Sequence, residues 1–180
     1  MNKTIEHIEY PAVWHSGNDW FSHRPLLYAI ANNPSVKLIL EVGVGHGSTP
    51  LLKSFKDKTL ISVDTDKEWA GKFDGTHIID KWENLATVLQ EIGIDISPGG
   101  IDLMFVDCKP GEERKNVVQS FSKISNILIA HDTEDSSNYV YDMKGVLSGF
   151  KYRIDFSPHG LPRTTAVSNF IDITEWVSQD

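Results

Sequence analysis

Short, nearly uninterrupted apolar runs alternate with amphipathic stretches along most of the chain. The runs are VKLILEV (36–42), KTLISVD (58–64), THIID (76–80), IDLMFVD (101–107) and NILIAHD (126–132). Each is rich in Ile, Val and Leu and bounded by turn residues, which predicts strands buried on both faces. The stretches 49–55, 67–73, 82–92 and 113–124 between them read as helices. Strand and helix in alternation imply a mostly parallel sheet covered on both sides. The last third differs. FKYRIDFS (150–157) and TTAVSNFID (164–172) are separated only by PHGLPR, too short for a helix, so these two strands pair antiparallel. The pattern predicts a three-layer, doubly wound α/β fold with seven mostly parallel strands and a C-terminal antiparallel hairpin. Ahead of it, a polar, aromatic loop (WHSGNDWFSHR) runs into a helix over about 20–32. Residues 1–180 fit one domain, with 1–33 as an N-terminal lid and helix and 36–172 as the core.

Four runs end in an acid, at Glu41, Asp64, Asp107 and Asp132, and Asp80 closes the third. A lone acid after a strand is an ordinary helix cap. Several in register line one sheet edge, the carboxyl edge where open α/β sheets bind ligands. The first run hands over to EVGVGHGS, with Gly43, Gly45 and Gly47 at alternate positions. Bare backbone there permits a tight turn and close approach to a ligand. Asp64, 19 residues after Gly45, is placed to hold a ribose diol. A dinucleotide site would use G-x-G-x-x-G, and here the third glycine comes one residue early. Glu41 would also repel a pyrophosphate, whereas a ligand with a positive centre suits it.

EVGVGHGS resembles motif I of class I S-adenosylmethionine-dependent methyltransferases, an acid followed by G-x-G-x-G. The resemblance runs over about 36–172 and implies a Rossmann-like fold with S-adenosylmethionine as cofactor. By the same resemblance Glu41, Gly43, Gly45, His46 and Gly47 shape the cofactor loop, and Ser48 and Thr49 hold the methionine carboxylate. Asp64 takes the ribose, Asp80 and Trp82 flank the adenine, and Asp107 borders the cofactor. Trp69 and Trp82 are open to a second reading as packing residues.

Acceptor chemistry is expected beyond the fourth and fifth runs, in VDCKPGEERK (106–115) and IAHDTED (129–135). Methyl transfer needs an oriented acceptor and, for a hydroxyl, help in losing its proton. A general base is one device, with Asp107, Lys109, His131 and Asp132 in reach. A divalent metal such as Mg²⁺ or Mn²⁺ on Asp107 and Asp132 is the other. That pairing resembles catechol-type O-methyltransferases, although Thr133 stands where those have Asn. The His131–Asp132 ending is closer to methyltransferases grouped with cephalosporin-hydroxylase-like and sugar-modifying enzymes. Arg114 and Arg163 are either solvated or clamps for an anionic acceptor. Trp14, His15, Asp19, His23 and Arg24 are lid candidates, and His159 and Arg163 face them from the loop 157–165. Cys108, beside an acid, is disfavoured as a nucleophile.

Composition narrows the class. A formal net charge of -8 and a pI near 5.3 argue against nucleic acid and anionic membranes as partners. One cysteine and the absence of a signal-like start suit the cytoplasm. The expectation is an S-adenosylmethionine-dependent methyltransferase, O-methylating a small molecule or sugar. The alternative is a non-catalytic S-adenosylmethionine- or nucleotide-binding module, with a dinucleotide oxidoreductase third.

Overall fold

In a computed structural model of the chain, which describes residues 2–15, 21–134, 141–158 and 160–177, the apolar runs all enter one sheet. Its strands are β1 (Asn2–Ile5), β2 (Leu38–Val42), β3 (Thr59–Asp64), β4 (Thr76–Ile78), β5 (Ile101–Val106), β6 (Ser125–His131), β7 (Tyr152–Phe156) and β8 (Thr164–Ser168). The helices are α1 (Arg24–Ala31), α2 (Thr49–Ser54), α3 (Lys67–Ala70), α4 (Leu85–Glu91), α5 (Glu113–Phe121) and α6 (Met143–Leu147). The order across the sheet is β1-β7-β8-β6-β5-β2-β3-β4. All pairings are parallel except those of β8 with β6 and β7.

The strands carry apolar residues at nearly every position because both faces are covered. Ile39, Leu103, Phe105, Ile127, Ile129 and Ala166 point to one side and pack with Leu26, Leu27 and Ile30 of α1 and Leu51 and Leu52 of α2. Leu40, Val42, Met104, Val106, Leu128, Ala130 and Val167 point to the other, against Leu85 and Leu89 of α4, Val117 and Val118 of α5, and Met143 and Leu147 of α6. Period-two alternation of direction without alternation of polarity is what a doubly covered sheet requires.

The sheet has eight strands rather than seven. The N-terminal Asn2–Ile5 adds a parallel edge beside β7, with Ile5 opposite Phe156 and fully buried. The sequence around it is charged and its pattern is too short to read as a strand. The first helix starts at Arg24, because Pro25 suits only a first turn, rather than near residue 20. From β2 the chain winds outward through β3 and β4, then returns to β5 on the other side of β2. That reversal is a topological switch point, and its crevice lies between the loops after β2 and β5.

Candidate functional site

The loop after β2 is built on Glu41. Its carboxylate is fully buried and accepts from Ser48 Oγ at 2.6 Å, Thr49 Oγ1 at 2.9 Å and Ser62 Oγ at 2.7 Å. Burial pushes its pKa up to about 7 against the pull of the three hydroxyls. Glu41 therefore shapes the loop from beneath and does not face the crevice as a partner for a cation. The Ser48 and Thr49 hydroxyls, expected on a methionine carboxylate, are turned inward to the same acid. Gly43 has φ +90°, and a Cβ there would sit 2.6 Å from the Asp107 carbonyl oxygen and from Cys108 Cα. Its bareness lets the loops after β2 and β5 touch at the switch point. At Gly45 nothing lies nearer than 3.9 Å, so the loop is open there. At Gly47 a Cβ would meet the His23 ring at 2.7 Å and Phe21 at 2.8 Å.

Asp64 closes β3 and holds the loop as well. Its Oδ2 accepts from the Val44 N–H at 2.9 Å and its Oδ1 from the Asp66 N–H at 2.8 Å. Each oxygen retains accepting capacity for a diol. Trp69 donates Nε1–H to the Val44 carbonyl at 2.7 Å and packs edge-on to the exposed His46, 5.4 Å between ring centres, beside Phe73. Trp82 is a core residue, 4% exposed, with its indole N–H on the Lys109 carbonyl at 3.1 Å. Asp80 and Lys109 are exposed.

That cluster is centred on Arg114. The guanidinium forks between Asp107 Oδ1 and Asp132 Oδ2, both at 2.6 Å, and adds the carbonyls of Cys108 at 3.0 Å and His131 at 3.3 Å. Arg114 is therefore an internal cation, neither solvated nor offered to an acceptor. It occupies the space between the carboxylates that a shared Mg²⁺ or Mn²⁺ would need, so that two-carboxylate metal site does not fit. Its place was legible in one respect: Arg114 lies three and four residues before Val117 and Val118, on the buried face of α5. His131 Nδ1 faces Asp107 Oδ2 at 3.4 Å and Asp132 Oδ1 at 3.5 Å, while Nε2 meets Ser22 Oγ at 3.0 Å. Burial lowers the pKa of His131, but the two carboxylates outweigh it and raise the net value. For Asp107 burial acts upward, yet His131 and Arg114 hold the carboxyl well below the usual range. Cys108 is buried, and burial pushes its thiol up to about 12, which removes it as a nucleophile.

Part of the N-terminal segment lies on this edge. Arg24 donates from Nε to the Gly47 carbonyl at 2.7 Å and from Nη2 to that of His46 at 2.8 Å, with Nη1 on the Trp14 carbonyl at 3.1 Å. His23 is 2% exposed and packs against the rings of Phe105 and His131, at 5.1 and 4.7 Å between centres. Burial drives its pKa down to about 3. Ser22 and His23 carried no sequence signal for a contact with His131, more than a hundred residues away. His15 stays outside, exposed and packed at a tilt against Tyr10. Arg163 ties the facing loop to Thr133 and Glu134 instead of reaching into the crevice. Asp19 and His159 lie outside the described residues.

For the methyl donor implied by the resemblance, the open backbone at Gly45 and the Asp64 carboxylate fit an adenosine-bearing ligand. At Gly47 the described position of Phe21 and His23 covers the loop. The chain matches no protein-family model and no curated protein. Solved structures do share its fold. The METTL16 MTase domain aligns with 91% of this chain and 74% of its own at 12% identity and a TM-score of 0.56. A human methyltransferase 10 domain containing protein aligns over 92% and 89% at 11% identity, TM-score 0.52. WbdD, a bifunctional kinase-methyltransferase, aligns over 87% of this chain but 41% of its own length, at 15% identity and a TM-score of 0.55. The chain has the class I methyltransferase fold. The exclusion of nucleic acid as a partner is withdrawn: the fold shared with the METTL16 MTase domain at 12% identity leaves the acceptor class open. Net charge is a sum over the whole surface, and it does not describe the patch around one crevice. Among the described residues no helix is long and apolar enough to cross a membrane.

Proposed function

We propose that the chain is an S-adenosylmethionine-dependent methyltransferase acting on a nucleophilic oxygen or nitrogen. One observation carries the reading. On a methyltransferase fold, the glycine loop lies at the switch point and is pinned to the acid that ends the next strand, Val44 N–H to Asp64. The donor, when bound, supplies an electrophilic methyl group on a sulfonium. Gly45 gives it backbone to lie against, and Asp64 accepts from its ribose hydroxyls. Asp107 and Asp132, at the ends of β5 and β6, face the acceptor side with about a quarter and a fifth of their side chains exposed. The Asp132 carboxylate, oriented by Arg114, receives the proton that the acceptor gives up. A hydroxyl acceptor, as on a sugar, is the favoured case, because it must lose a proton on transfer and a carboxylate stands at this edge to take it.

Titration calorimetry with S-adenosylhomocysteine and, separately, NAD tests the cofactor class. Binding of the former, reduced at least about tenfold by Asp64→Ala through loss of hydrogen bonds to a charged acceptor, is expected. Binding of NAD alone would defeat the proposal. Turnover is then sought on a panel of hydroxylated small molecules, sugars and RNA oligonucleotides. Donor binding without any turnover would favour the non-catalytic module.

A further inference from the structure

His23 is a buried group that the packing of the fold alone does not explain. Among the described residues both its ring nitrogens are buried without a hydrogen-bond partner, a costly state for an imidazole in a closed interior. One donor atom from each of His23, Asp107 and His131 lies within 4.8 Å of the others. The outer atoms of the other two are already engaged. Arg114 holds Oδ1 of Asp107, which leaves Oδ2 facing inward. Ser22 Oγ sits on Nε2 of His131, which leaves Nδ1 facing the same point, 3.4 Å from that oxygen. Metal-binding histidines and carboxylates are held in this way, by one atom tied outward and one aimed at the ion. The spacing suits two ligands on a small cation, since bonds of about 2.0–2.2 Å at tetrahedral angles put ligand atoms roughly 3.3 Å apart.

We infer that His23, Asp107 and His131 bind a divalent first-row transition metal, with zinc as the cation that best suits two imidazoles and one carboxylate. This set differs from a two-carboxylate magnesium site, which Arg114 precludes. A proton shared between His131 and Asp107 would account for those two residues, but it would leave His23 without a partner. A metal ion accounts for all three. It also joins the N-terminal segment to the ends of β5 and β6, so zinc acts as a clamp across the crevice. His131 cannot ligate zinc and accept a proton at Nδ1 together, so the metal competes with any such role. The inference rests on the cluster alone and holds whether or not the chain transfers methyl groups.

The test uses the full chain, stripped with chelator, with no donor or acceptor present. Equilibrium dialysis against micromolar zinc chloride and elemental analysis should give about one zinc per chain. His23→Gln and His131→Gln should each weaken binding more than about tenfold, and Ser22→Ala about tenfold. Zinc should raise the melting temperature of the parent chain and not of His23→Gln, and magnesium should not compete. Cobalt substituted in the parent chain should show visible d–d absorption, a readout that needs no variant. Zinc affinity unchanged in a folded His23→Gln, or a parent chain that takes up neither zinc nor cobalt, would overturn the site.

Discussion

Glu41 shows how a residue type can be right and its role different. The acid that opens the glycine motif is fully buried and serves as a hub for Ser48, Thr49 and Ser62. Its pKa, raised from 4.5 to about 7, means that the folded chain binds more protons than the unfolded one between those values. Its contribution to stability therefore falls as pH rises from 4.5 to 7, by on the order of 3 kcal/mol. Glu41→Gln keeps the shape, accepts from Ser48 and Thr49, and donates to Ser62. Urea unfolding across that pH range is expected to show a flatter stability curve for the variant. An unchanged slope would mean that the carboxyl is already ionised in the fold.

Among the elements, α5 has a task beyond covering the sheet. Its first turn carries Arg114 inward to the ends of β5 and β6, which otherwise present two carboxylates to each other. Removing one partner from a buried ion network costs more than the network contributes, because the remaining charges lose their compensation. Arg114→Met is expected to lower stability by about 3 kcal/mol, at the low end of the 3–5 seen for buried pairs because the two acids are partly solvated. Arg114→Lys should not restore it, since a single ammonium cannot fork between two carboxylates and still reach two carbonyls. Thermal unfolding of both variants at neutral pH checks this, and full rescue by lysine would show that charge alone suffices. Most of the helices and strands were legible from period and punctuation, and the short β1 and α6 were not. The inward turn of Arg114 was visible only as a shared face with Val117 and Val118.

On the scale of the whole molecule, the N-terminal segment is tied at both ends. β1 joins the far edge of the sheet beside β7, and α1 packs on the face that carries β2 and β5. Trp14 and Arg24 meet at the carboxyl edge, where Arg24 is fastened to the glycine loop. Anchorage at β1 should therefore support the crevice from a distance. Ile5→Ala, at a fully buried position, is expected to cost about 2–5 kcal/mol in urea unfolding. It should also speed chymotryptic cleavage at Trp14, ahead of global unfolding. Equal protease resistance in parent and variant would detach the edge strand from the crevice.

The sequence by itself determined the doubly wound sheet, the antiparallel ending, the glycine turn and the row of acids along one edge. Each depends on neighbours a few residues apart, and periodicity and turn chemistry report such relations directly. Only the tertiary structure decided that Glu41 and Trp82 are internal, that Arg114 bridges Asp107 and Asp132, and that Ser22 and His23 meet His131. Those contacts join residues far apart in the chain. Their partners are chosen by how the layers pack at the switch point, where burial leaves a polar group no solvent and requires it to find whichever donor or acceptor the fold brings within reach.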